Sequence, residues 1–109
     1  MNQIKFRMIE DNLDPELVTN QTIEIINDWL SECQIFQNDI QKAMLYSHVK
    51  AMVERAKNLE RLPEVDPTLF DELSEESLSL ARRTVQLFNK LPMEEAYLLA
   101  VHYEVAKAN

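Results

Sequence analysis

Few side chains among the 109 residues have an ordinary pKa near enough to neutral to change protonation state there. They are His48 and His102, the only two histidines, and Cys33, the single cysteine. Imidazole titrates close to physiological pH, so it serves as a base, a metal ligand or a phosphoryl acceptor. Cys33 would need a base beside it to act as a nucleophile, and neither histidine is near it in sequence. It reads as a core or boundary thiol. Asp71, Glu72, Glu75 and Glu76 gather at a helix start, where solvated first-turn acids are the ordinary reading and a metal or catalytic carboxylate pair the exceptional one. Arg82-Arg83 is too short for a nucleic-acid patch. The chain contains no glycine, which removes Gly-rich phosphate loops and standard oxyanion turns. No enzyme, cofactor or metal is expected. A metal-dependent enzyme using His48, His102 and carboxylates is the alternative that a metal analysis would decide.

The elements that must position the histidines read as helices. Tight hairpins need positive φ and hence glycine, so its absence argues against sheets. Residues 1–13 show no clear period and form an N-terminal extension; one domain occupies 14–109. Asp14-Pro15 starts a helix as N-cap and first residue. Leu17, Val18, Thr22, Ile25, Ile26, Trp29 and Leu30 recur on one face up to an end near Cys33 to Phe36. Asn38-Asp39 caps a second helix over about 40–60, with Ile40, Met44, Leu45, Val49, Met52, Val53, Ala56 and Leu59 apolar. Pro63 and Pro67 break it. Residues 68–73 form a short helix or turn, Ser74 caps a third helix carrying Leu78, Ala81, Val85 and Phe88, and Pro92 opens a last one to about Lys107. The expected fold is all-α, a compact bundle of four to five helices.

At about 100° per residue, His48 falls between Met44 and Met52 on the inward stripe of the second helix. His102 stacks between Leu98 and Ala106 on the last. Two readings stay open: core histidines each satisfied by one hydrogen bond, or rings that meet at a shared crevice between helices.

Two segments carry a resemblance. His48-Val49-Lys50-Ala51-Met52-Val53-Glu54-Arg55 places an Arg seven residues after a His. Glu94-Glu95-Ala96-Tyr97-Leu98-Leu99-Ala100-Val101-His102-Tyr103 runs from acids through an apolar stretch to a second His. In this order, 54 residues apart, they resemble the PTS regulation domain (PRD) of bacterial sugar-operon antiterminators and activators. The resemblance implies that His48 and His102 are phosphoryl acceptors, charged by the phosphocarrier HPr or an enzyme II B component of the sugar phosphotransferase system. It also implies a homodimer. Arg55, two turns from His48, is a candidate to pair with the phosphate; equally it could lie along the apolar face or bridge to a Glu. The family usually joins this domain to a nucleic-acid-binding module. A single copy is expected instead to act through a partner protein that the sequence does not identify. Ser47 stands where the family often has Asp. That departure supports the alternative, a helical scaffold that has lost phosphoryl regulation.

Charge narrows the partners. Nineteen acidic against eleven basic residues give −8 at pH 7, unfavourable for nucleic acid or anionic membranes. No apolar run approaches the roughly 20 residues of a membrane span. A cytoplasmic location is expected, in keeping with one unpaired cysteine.

Overall fold

Without glycine, every left-handed turn must be made by a residue carrying a Cβ. The computed structural model describes residues 5–62 and 66–109. Within it, Asn12, Gln34 and Leu59 have φ of 49°, 58° and 57°. Each sits where a segment ends, and Leu59 closes a helix by donating its backbone N–H to Arg55 O. Such a conformation costs a non-glycine residue about 1–2 kcal/mol, so the turns hold because packing on both sides fixes them.

Four α-helices follow: α1 (Pro15–Glu32), α2 (Asp39–Asn58), α3 (Glu75–Val85) and α4 (Glu95–Lys107), with a 3-10 turn over Pro67–Phe70. The fold is all-α. Among the described residues extended pairing is limited to one isolated parallel bridge, Phe6 with Phe88. The starts are those expected from sequence. The Asp14 side chain accepts from Glu16 N, and Asn38 and Gln41 form a reciprocal capping box that satisfies two otherwise free donors. Ser74 accepts from Ser77 N. Two ends differ from expectation. α3 stops at Val85, leaving Leu87 and Phe88 to turn into the core, and α4 starts at Glu95 rather than Pro92. Pro63 lies outside the described residues.

The helices pack as two hairpins, α1 with α2 and α3 with α4, joined chiefly where α2 meets α4. Small residues on α3 and α4 (Ala81, Ala96, Ala100, Ala106) are buried at the joins and let the helices approach closely. Segment 5–13 carries no helix yet packs inward: Phe6 and Met8 are buried, the Phe6 ring lies 5.4 Å from that of Phe88, and Lys57 Nζ donates to Met8 O at 3.0 Å. The apolar stripes read from sequence are partly corrected. Leu17, Ile40, Met44 and Leu59 were expected on buried faces, but they are exposed, Ile40 at 73%. The cause is geometric: a periodic stripe is wider than the strip a neighbouring helix can cover, so its margin faces outward.

Tyr103, fully buried on α4, shows how the α3–α4 join is held. Its hydroxyl lies 2.9 Å from Thr84 Oγ1, and Thr84 Oγ1 donates to Leu80 O at 2.9 Å. Thr84 has one hydroxyl proton, so Tyr103 must donate to Thr84. Burial is the main cause that pushes the phenol pKa up. The two partners are therefore not equivalent. Tyr103→Phe removes a donor and leaves Thr84 satisfied, at a cost of about 1 kcal/mol. Thr84→Val strands a buried hydroxyl and costs more, toward about 3 kcal/mol. Urea unfolding of the two variants gives this order; equal losses would mean the donor assignment is wrong.

Candidate functional site

α2 and α4 run antiparallel, and three polar contacts mark their seam. At one end Gln41 Nε2 donates to Asn109 Oδ1 at 3.4 Å. Next, His48 Nδ1 lies 3.2 Å from His102 Nε2. Beyond them Arg55 Nε and Nη2 donate to the two carboxylate oxygens of Glu95, each at 2.8 Å. Successive contacts are seven residues apart on both sides, nearly two helical turns, so the two inner ones stay on the line where the helices touch, and Asn109, just past the end of α4, continues it.

The two histidines thus meet, 54 residues apart in sequence. Their ring centroids are 5.0 Å apart and the planes stand at 78°. Both rings are half-buried and form the floor of a wide-mouthed depression of about 540 Å³, walled by Ile40, Ala43, Met44 and Ser47. One proton occupies the contact, so one ring donates and the other accepts. Whichever tautomer holds, Nε2 of His48 is buried without a hydrogen-bond partner.

Both rings resist protonation. Burial is the main cause for each; for His48 the neighbouring His102 and the Arg55 charge add to it and bring its pKa down to about 4, from an ordinary value of 6.5. At neutral pH the pair is therefore uncharged, and each ring keeps one nitrogen with a lone pair. That is the state a nucleophile toward phosphorus, or a metal ligand, requires. Among the described residues no cluster of three or more His, Cys, Asp or Glu is placed to hold a metal ion.

Arg55 is committed to Glu95. Glu95 is fully buried while the Arg55 side chain is 17% exposed, and the carboxylate raises the guanidinium pKa. Of the two sequence readings left open for Arg55, the bridge to a Glu is present. Its charge nevertheless lies within electrostatic range of His48. Glu95 itself was missed: it appeared only as one acid of a motif at a helix start, where acids are usually solvated. Cys33 is half-buried against the core. Glu75 bridges Arg82 and Glu76 bridges Lys107, at 3.1 Å and 3.5 Å, as surface acids do. Arg83 stacks over Trp29, 4.2 Å from the ring centroid.

The model of the PRD domain family matches residues 23–106. The chain belongs to the PRD family. It is similar to a PRD-containing transcription regulator from Lactobacillus casei ATCC 334, whose crystal structure superposes with a TM-score of 0.82. The two share 34% identity, over 84% of this chain and 82% of that one. No curated protein matches. The match spans both histidines, Arg55 and Glu95, so these two contacts of the α2–α4 seam fall within the PRD domain. No helix among the described residues is long and apolar enough to cross a membrane.

Two outcomes are expected of the seam. Arg55→Met leaves the buried Glu95 carboxylate unpaired and destabilises this PRD domain by about 3–5 kcal/mol, whereas Arg55→Met with Glu95→Leu recovers most of the loss; a urea double-mutant cycle measures the difference. The second concerns pH. A folded pKa below the unfolded one means that the unfolded rings bind protons the folded rings refuse. The histidine contribution is complete above about 6.5 and is lost as pH falls toward 4. Denaturation midpoints should decline between about pH 6.5 and 5, before most carboxylates titrate, and His48→Gln should flatten that decline.

Proposed function

We propose that this PRD domain is a regulatory protein-interaction module whose state is set by phosphorylation at His48 and His102, with HPr or an enzyme II B component of the sugar phosphotransferase system as donor. The observation that carries the reading is the meeting of the only two histidines at the floor of a depression open to solvent. A neutral imidazole offers its lone pair to phosphorus. The product carries close to two negative charges and three strong acceptor oxygens, and in a helix seam it must be paired or turned outward. Arg55 has three N–H groups beyond the two held by Glu95, which supports a role in pairing with the phosphate. The exposed apolar side chains Ile40 and Met44 on α2, with Val101 and Val105 on α4, form the surface for protein partners, a second copy of this chain and the regulated protein among them.

One observation favours a second reading. The rings already hydrogen-bond to each other across the seam, which suits a helical scaffold that has lost phosphoryl regulation. Incubation with phosphoenolpyruvate and the general phosphotransferase components separates the two. The regulatory reading expects an acid-labile phosphoryl group on His48 or His102, absent from the His48→Ala, His102→Ala double variant. Absence of label on the folded wild-type chain would leave the scaffold.

A further inference from the structure

The contact between the two imidazoles has the dimensions of a metal chelate. A zinc ion holds an imidazole nitrogen at about 2.0–2.1 Å, so two such nitrogens on one tetrahedral ion lie about 3.3–3.4 Å apart. His48 Nδ1 and His102 Nε2 are already 3.2 Å apart. The ring planes stand at 78°, so the rings do not stack. The outer torsion of a histidine has a broad, shallow preference, and each ring can turn its lone pair toward one point without moving its helix.

We infer that His48 and His102 chelate one late first-row divalent cation through Nδ1 and Nε2, with water filling the remaining positions; zinc is the representative ion. The inference does not rest on the phosphoryl reading above. In sequence, two histidines 54 residues apart are a sparse inventory for a metal, and the fold gives them a chelating distance. Val49 and Tyr103, each next to one histidine, are fully buried. The distance is thus held by helix packing before any ion arrives, as a preorganised site requires. Among the described residues no group of three His, Cys, Asp or Glu surrounds the contact. The depression walled by Ile40, Ala43, Met44 and Ser47 opens onto both rings and admits the water.

Imidazole with water suits zinc, copper(II) and nickel, whereas magnesium and calcium take oxygen ligands. The net charge of −8 draws cations toward the chain. The Arg55 guanidinium, the charge that opposes one here, is held by both carboxylate oxygens of Glu95 at 2.8 Å. Coordination needs both facing nitrogens free of hydrogen. The proton of the contact therefore moves to the outer nitrogen of its own ring, and neutral rings release none. The ion ties α2 to α4 at the middle contact of their seam, with two coordinate bonds in place of one shared proton.

Isothermal titration of the full, untagged chain with zinc chloride, in a weakly coordinating neutral buffer, tests the site. One ion should bind per chain, and excess magnesium should not displace it. His48→Gln and His102→Gln should each weaken zinc binding at least about tenfold, with circular dichroism reporting that the helices persist. Histidine ring-proton resonances of the unaltered chain give a readout that does not depend on a variant folding: both rings should respond together, the change complete at one equivalent of zinc. Zinc affinity unchanged in both variants would assign the ion to surface carboxylates and overturn the chelate. So would displacement by magnesium, no saturable binding to the unaltered chain, or a response confined to one ring.

Discussion

The antiparallel register of α2 against α4 is the constraint on which the rest depends. A spacing of seven residues falls only about 20° short of two full helical turns, so contacts at this spacing on both partners stay in one seam. Gln41 with Asn109, His48 with His102 and Arg55 with Glu95 fulfil it together. A slip of α4 by a single residue against α2 would put residues about 100° round the helix in place of His102 and Glu95 and separate both from their partners at once. Polar groups set between apolar surfaces fix alignment in this way because their partners are few and their loss is costly, whereas the surrounding Val49, Met52 and Leu99 would tolerate small shifts.

The three contacts differ in how far water reaches them. Gln41 and Asn109 lie at the exposed end, the imidazoles are half-buried, and Glu95 is wholly buried. The innermost pair is an ion pair in which the bidentate guanidinium compensates the carboxylate where water cannot. The outermost is neutral and readily replaced by hydration. The middle pair alone is close to both conditions: dry enough that its rings are held neutral, open enough that a reagent can arrive through the depression. Moved one step inward, the rings would be inaccessible; moved one step outward, they would titrate as free histidines do.

Much of this was readable from residue types. The Asp14-Pro15 and Asn38 starts are stated by local chemistry, and both His48 and His102 fall on helix faces that can meet. Their meeting itself was not a property of periodicity, since a helix face does not name its neighbour; the pairing came from resemblance and required coordinates. Glu95 was illegible for a related reason. Glutamate is seldom fully buried, and what makes it tolerable here is Arg55, forty residues earlier. Ile40 and Met44 failed in the opposite direction. Their apolar character placed them inward, yet they wall the opening over the histidines, so the residues that sequence assigns to the core shape access to the site. Phe6 and Met8 gave too short a pattern to read, and their burial depends on Phe88 and α2, both distant in sequence.

The surroundings of the rings also determine what can move when the middle contact is broken. His48 is followed by Val49 and His102 by Tyr103, both fully buried, so each ring is attached to a helix anchored at the next residue. Sliding α4 along α2 to make room for a phosphoryl group would separate Arg55 from Glu95 and strain the Tyr103–Thr84 contact. Each of these losses is worth more than about 1 kcal/mol, and the first about 3–5 kcal/mol. Turning a half-buried imidazole off its preferred rotamer costs only about 0.5–1.5 kcal/mol. The ring therefore yields before the helices do. In the proposed role the added charge emerges beside Ile40, Met44 and Ser47, and a partner protein reads the change at that rim while the core beneath keeps its packing.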